Sequence, residues 1–205
     1  MLKALNINKK RFSLIAGIGS IGLTLILLIL LLTNSAIAAF PIAGIGGIVI
    51  EADEISGTHL KISTHISSTS EHDDWGQARV ELGTANIAGL YLSKKIDLEG
   101  ALSEYGVKDL DIVITPAPGS IVTGNQLTLG ITGLTATYSD FRNLRVDENR
   151  SANDPIDVFH LSANSLLLNN PKLNTHLLSA ESITIPGLKV KLIINKNDGT
   201  TIGGF

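Results

Sequence analysis

The feature that most limits what this chain can fold into is the period-two alternation of its aliphatic residues. Leu110, Ile112 and Ile114 share one parity, with Asp111 between the first two. Leu127, Leu129 and Ile131 alternate with Thr128 and Gly130, and Leu188, Val190 and Leu192 with Lys189 and Lys191. Ile48, Ile50 and Ala52 stand against Val49, Glu51 and Asp53. Successive side chains of a strand point to opposite faces, so such runs build half-buried strands, and the Gly, Pro, Asn and Ser between them supply turns. The pattern predicts a mainly β, mainly antiparallel body, built either as a sandwich or as an open, curved, solenoid-like sheet. Helical spacing in the body is best over residues 97–105, through Leu98, Ala101, Leu102 and Tyr105, but that stretch is short and holds Gly100.

A short repeat adds a mechanical expectation. Ile87-Ala88-Gly89-Leu90-Tyr91-Leu92 matches Ile131-Thr132-Gly133-Leu134-Thr135-Ala136 and Ile185-Pro186-Gly187-Leu188-Lys189-Val190. Ile55-Ser56-Gly57-Thr58-His59-Leu60-Lys61-Ile62 is a looser copy. In each, the apolar residues before and after the glycine have opposite parity. A straight strand would turn one set to solvent, whereas a glycine bulge or turn restores both to one side. The glycines are spaced by 32, 44 and 54 residues, too unequal for a strict solenoid. A second pairing sets Leu161-Ser162-Ala163-Asn164-Ser165-Leu166-Leu167-Leu168 beside Leu178-Ser179-Ala180-Glu181-Ser182-Ile183-Thr184-Ile185. Polar loops are expected over 67–77, 116–120, 147–157 and 195–199.

The N-terminus is of another kind. Lys3, Lys9, Lys10 and Arg11 precede 21 uncharged residues, 12–32, and then Thr33-Asn34-Ser35-Ala36-Ile37-Ala38-Ala39. A basic start, an apolar run and a small-x-small end form the pattern of a secretory signal, here with a cut between Ala38 and Ala39. As a helix the run is about 32 Å long, enough to span a bilayer core of about 30 Å. Residues 1–38 are therefore read as an N-terminal hydrophobic helix, either a cleaved signal peptide or an uncleaved membrane anchor. Both place residues 39–205, a single β-rich domain, outside the cytoplasm, secreted or tethered to the cell membrane.

Charge and chemistry narrow the function. The first 38 residues take four of the 16 basic residues and none of the 19 acids, which leaves 12 against 19 and a body charge of −7. An acidic body argues against nucleic acid as a partner. The chain has no cysteine, so it has neither disulfides nor thiolate metal sites. Gly17, Gly19 and Gly22 fit the dinucleotide-binding glycine spacing but lie inside the apolar run. Glu71, His72, Asp73 and Asp74 carry metal-ligating groups without the order of a calcium loop, and read as a solvated acidic turn. His59, His65, His72, His160 and His176 are scattered and form no zinc motif. No Gly-x-Ser-x-Gly elbow is present, and Ser120, Ser139 and Ser162 are arbitrary candidates for a hydrolase serine. Asn149-Arg150-Ser151 is a formal glycosylation sequon, and Trp75 is expected to pack over a sheet edge. No catalytic, cofactor-binding or metal-binding residue is assigned, and no cofactor is expected.

Several stretches carry a family resemblance: Phe40-Pro41-Ile42-Ala43-Gly44-Ile45-Gly46-Gly47, Ala52-Asp53-Glu54-Ile55-Ser56-Gly57, Thr69-Ser70-Glu71, Val80-Glu81-Leu82 and Ile87-Ala88-Gly89-Leu90. Together, and most clearly over residues 40–98, they resemble exported Gram-positive proteins of the domain-of-unknown-function family catalogued as number 6230. The resemblance implies export, a mainly β body and a role at the cell envelope. Some members are labelled cholesterol esterase, a label the residues here do not support. The sequence thus leans away from an enzyme and toward a cell-envelope module that binds an apolar, lipid-like ligand or another envelope protein. A structural or self-assembling envelope subunit is the alternative, and an ester hydrolase a more distant one.

Overall fold

In the computed structural model, residues 38–41, 47–67, 73–98, 102–148 and 159–203 are described. The N-terminal segment 1–37, Glu71 and His72, and the sequon 149–151 lie outside them. Among the described residues no helix is long and apolar enough to cross a membrane.

The alternating runs do form strands, in chain order β1 (Ala38–Pro41), β2 (Ile48–Glu51), β3 (Glu54–Ser67), β4 (Trp75–Ala88), β5 (Tyr91–Asp97), β6 (Val107–Thr115), β7 (Ile121–Thr135), β8 (Tyr138–Arg142), β9 (Arg145–Glu148), β10 (Phe159–Asn169), β11 (Lys172–Ala180), β12 (Ser182–Thr184), β13 (Lys189–Lys196) and β14 (Thr201–Gly203). They belong to one open sheet in the order β14-β13-β6-β5-β2-β11-β7-β4-β3-β10-β8, with every pairing antiparallel. β1 extends the β2 side of β11, β12 continues β11 along β7, and β9 continues β8 along β10. Of the helix expected over 97–105, residues 99–101 lie outside the described ones; β5 runs on to Asp97, Leu102 is helical with its N–H donating to the Leu98 carbonyl at 2.7 Å, and a 3-10 turn follows at Ser103–Tyr105.

Two of the repeat glycines are turns. Gly89 (φ 64°) follows β4, and Gly187 (φ 60°) lies between β12 and β13. Both need the left-handed backbone that glycine adopts freely. Gly133 sits inside β7 beside the register shift of β11 between Asn174 and Thr175. Gly57 departs from the expectation. It pairs regularly with Ala85 and Leu166, and the left-handed residue of β3 is His59 (φ 53°), two positions on.

That displacement exposes the organising feature of the sheet. On both sides of one line across the sheet the nearest buried positions follow period two, and at the line itself one step of three intervenes. The step is Gly57 to Leu60 on β3, Leu82 to Ala85 on β4, Gly124 to Leu127 on β7 and Ala163 to Leu166 on β10. Ala180 and Ile183, both packed on the core, repeat it where β11 passes into β12. The registers Leu166↔Gly57, Gly57↔Ala85, Ala85↔Gly124 and Gly124↔Ile183 place all five steps in one line. We call this line the crease. An odd step sends the next side chain to the opposite face. With all five strands stepping together, the aliphatic face stays on one side throughout.

The core is continuous across the crease. Ile55, Leu60, Val80, Leu82, Ile87, Val122, Leu127, Leu129, Leu166 and Leu168 join Ile48, Ile50 and Leu173 in one cluster, each no more than 7% exposed. Fully burying such a side chain is worth about 1.5–3 kcal/mol. The row beside the crease is small, with Gly57, Ala85 and Gly124 on adjacent strands. Leu82 fills the space above it, and a Cβ on Gly57 would stand 3.0 Å from Leu82 Cδ2 and from the Thr84 carbonyl oxygen. The Thr175 hydroxyl is buried without a hydrogen-bond partner, an arrangement that costs about 1–3 kcal/mol and that the surrounding structure does not explain. Gly57→Ala is expected to destabilise the protein by about 1–3 kcal/mol through overpacking, read as a lower urea midpoint at unchanged slope. An unchanged midpoint would show that the small row is not tightly filled.

Candidate functional site

The other face of the crease is polar. Thr58 on β3 is in register with Ser165 on β10 and with Thr84 on β4; Thr84 is in register with Asn125 on β7, and Asn125 with Ser182 on β12. Thr58 Oγ1 and Thr84 Oγ1 are 2.7 Å apart, and Asn125 Nδ2 donates to Ser182 Oγ at 2.9 Å. A second row across the crease runs Ser162, Lys61, Glu81, Thr128, Ser179. The two rows border a groove of about 450 Å³ lined by His59, Lys61, Glu81, Leu82, Gly83, Gln126, Leu127 and Thr128.

Local geometry explains how the groove forms. His59 and Gln126 take left-handed backbone (φ 53° and 49°) at the crease on strands separated only by β4. Between them lies Gly83, where a Cβ would stand 3.1 Å from His59 Nδ1 and 3.2 Å from His59 Cβ, so the glycine makes room for the imidazole. His59 Nδ1 is 3.3 Å from Thr58 Oγ1. Glu81 is held at 3.0 Å by Arg79, an exposed pair of small energetic weight. A left-handed backbone costs a non-glycine residue about 1–2 kcal/mol. Glycine would occupy positions 59 and 126 without that strain, yet both carry exposed hydrogen-bonding side chains.

The other positions singled out in the sequence do not converge. Ser120 lies in the β6–β7 turn, its N–H donating to the Ala117 carbonyl. Ser139 is on edge strand β8 opposite Leu168, and Ser162 lies between Lys61 and Arg145. His65 lies six residues along β3 from His59, about 20 Å at the strand rise, and His160 is on β10 opposite Ser63. His176 Nε2 is 3.2 Å from Thr132 Oγ1. Neither this contact nor that of His59 with Thr58 includes a carboxylate beside the imidazole. Asp73 and Asp74 form a turn before β4, and among the described residues no group of three or more His, Asp or Glu is placed to hold a metal ion. Trp75 begins β4 opposite Ser67 and is 37% exposed.

Lys61, Glu81, Gly83, Gln126 and Thr128 were not singled out by motif. The available signal was the step of three in apolar spacing, which recurs from strand to strand and marks where the polar face must bend.

A second polar cluster ties β5, β6 and β13 together. Lys95 Nζ lies 3.3 Å from Asp109 and 3.5 Å from Asp111, while Asn195 Nδ2 donates to both carboxylates, at 2.9 Å to Asp111. The Asn195 hydrogen bond, opposed by burial and aided by Lys95, holds the Asp109 carboxyl below the usual carboxylate range. Desolvation works to lower the Lys95 ammonium, but hydrogen bonds and the charges of Asp109 and Asp111 outweigh it and raise the group above its ordinary value. Asp109 therefore contributes stability that is complete above about pH 4 and is lost as pH falls through its depressed folded value. Lys95 contributes below about pH 10, and that part is lost as pH rises through its raised folded value.

Two expectations follow from these sites. Asp109→Asn is expected to flatten the acid limb of stability against pH while leaving the slope near neutrality unchanged; an identical acid limb would remove Asp109 from the account. His59→Gly is expected to keep or raise the melting temperature. His59→Val, β-branched in left-handed backbone, is expected to be the less stable of the two by about 1–2 kcal/mol. Equal melting temperatures would mean that residue 59 is not left-handed.

Comparison with protein-family models, curated proteins and solved structures finds no match for this chain.

Proposed function

We propose that the chain is a non-enzymatic binding module of the cell envelope, exported by its N-terminal segment and meeting its ligand on the polar face at the crease. One observation carries the reading: two non-glycine residues, His59 and Gln126, take left-handed backbone beside the same groove. Strain of this kind persists where the surrounding structure over-determines it, characteristically at functional sites. The basic, apolar and small-x-small pattern of residues 1–39 supports the location. The resemblance of residues 40–98 to the exported family is part of the same proposal.

The proposal takes the sheet as curved about its aliphatic face, like a solenoid rather than a sandwich. No helix overlies that face among the described residues, yet its central side chains, from Ile48 to Leu173, are no more than 7% exposed, with half-buried residues such as Ile62 and Leu161 around them. A face so filled leaves little room for a lipid chain and favours the polar groove as the contact surface. Self-assembly through the β8–β9 edge is the second reading, supported by exposed Tyr138, Leu144 and Val146 there. The charges of Asp140, Arg142, Arg145 and Asp147 on that edge weigh against it, since edge charges discourage strand pairing between chains.

The test uses the full chain in a polyoxyethylene detergent, mixed with washed envelope of the source cells and sedimented. The wild type is expected in the pellet, with retention lowered about tenfold, equivalent to 1.4 kcal/mol, when His59→Gly and Gln126→Gly are combined. Wild type left in the supernatant, or a double variant retained equally, would overturn the reading.

A further inference from the structure

We infer that the ligand of the crease is a neutral glycan chain lying across the strands. The inference rests on reading the groove as a binding surface and adds the chemical class. The lining offers one cation, Lys61, and one acid, Glu81, so its formal charge cancels; the remaining polar groups are an imidazole, an amide and a hydroxyl, on His59, Gln126 and Thr128. A polyanion would need an excess of Lys and Arg that neither the groove nor the body, with 12 basic and 19 acidic residues after position 38, provides. An apolar ligand would need exposed aliphatic surface, but Leu82 and Leu127 are each 4% exposed and belong to the core. Mixed donors and acceptors with cancelling charge are what the vicinal hydroxyls of a sugar ring satisfy.

The rows give the ligand a direction. Ser165, Thr58, Thr84, Asn125 and Ser182 present short hydroxyl and amide groups on five successive strands. Ser162, Lys61, Glu81, Thr128 and Ser179 run parallel across the crease. Neighbouring strands lie about 4.8 Å apart, close to the rise per ring of a β-linked pyranose chain. The five strands therefore span about 19 Å, room for a chain of about four rings. The groove, at about 450 Å³, falls in the ordinary range of small-molecule sites, about 300–1,000 Å³. His59 and Gln126 stand between the rows, where each can hydrogen-bond to rings above both.

The experiment is isothermal titration of the full chain in a polyoxyethylene detergent, which carries no sugar. The probes are cellohexaose, chitohexaose, cellobiose, polygalacturonate and oleate. Binding of one neutral hexaose is expected, about tenfold tighter than cellobiose and weakened about tenfold by Gln126→Gly or Asn125→Ala. Both variants should keep the wild-type melting temperature to within a few degrees. The inference is overturned if neither hexaose binds, or if the variants bind it as the wild type does. Binding of polygalacturonate or oleate alone, lost in Gln126→Gly, would overturn the glycan class while leaving the groove as the contact surface. Failure of the envelope sedimentation would instead remove the binding reading beneath it.

Discussion

A β-sheet with one dry face obeys a parity constraint. Side chains alternate strictly, so a strand that steps by three turns its aliphatic residues to water unless the backbone inserts a compensating residue. Here five neighbouring strands step by three along one line, and their pairing sums stay constant across it because each partner inserts one residue. The core depends on that agreement. Leu60, Leu82 and Leu127 on one side of the line, and Ile55, Ile87 and Val122 on the other, enter the same cluster only because the strands step together.

The constraint also generates the surface that could work. The inserted positions include His59 and Gln126, whose left-handed backbone directs their side chains to the polar face beside Gly83, where a missing Cβ admits the His59 imidazole. Packing and surface are thus two sides of one device. Glycine at 59 or 126 would avoid the left-handed strain, and the polar side chains there are what the proposed contact surface uses. The Lys95–Asp109–Asp111–Asn195 cluster, by contrast, joins three strands away from the groove and has a sufficient structural role.

Much of the architecture was legible in the sequence. The runs at 48–51 and 127–131 are strands with the expected faces inward, because period two is a local signal that survives packing; 110–114 is also a strand, but there Val113 is buried beside Leu110 and Ile114 while Ile112 is only half-buried. The glycine copies at 89 and 187 mark turns, as a positive φ favours glycine. Gly57 misled because its size, not its backbone freedom, is what the fold uses: it lies under Leu82, while the left-handed conformation fell to His59, a residue type enriched there but found there only rarely. The paired stretches 161–168 and 178–185 were recognisable as similar, and the reason emerges only in three dimensions. Both cross the crease, Ala163 to Leu166 and Ala180 to Ile183. The groove was not legible, since it assembles two or three residues from each of three strands that only long-range pairing brings together.

The absence of cysteine permits a direct test of the parity account. Single cysteines placed at each position from 55 to 63 of the full chain would be titrated with a water-soluble thiol reagent under native conditions. The account predicts slow reaction at 55, 57, 60 and 62 and fast reaction at 56, 58, 61 and 63, with the alternation broken once, at 59. Unbroken alternation, with 60 and 62 reacting as fast as 58 while 61 and 63 are protected, would contradict it.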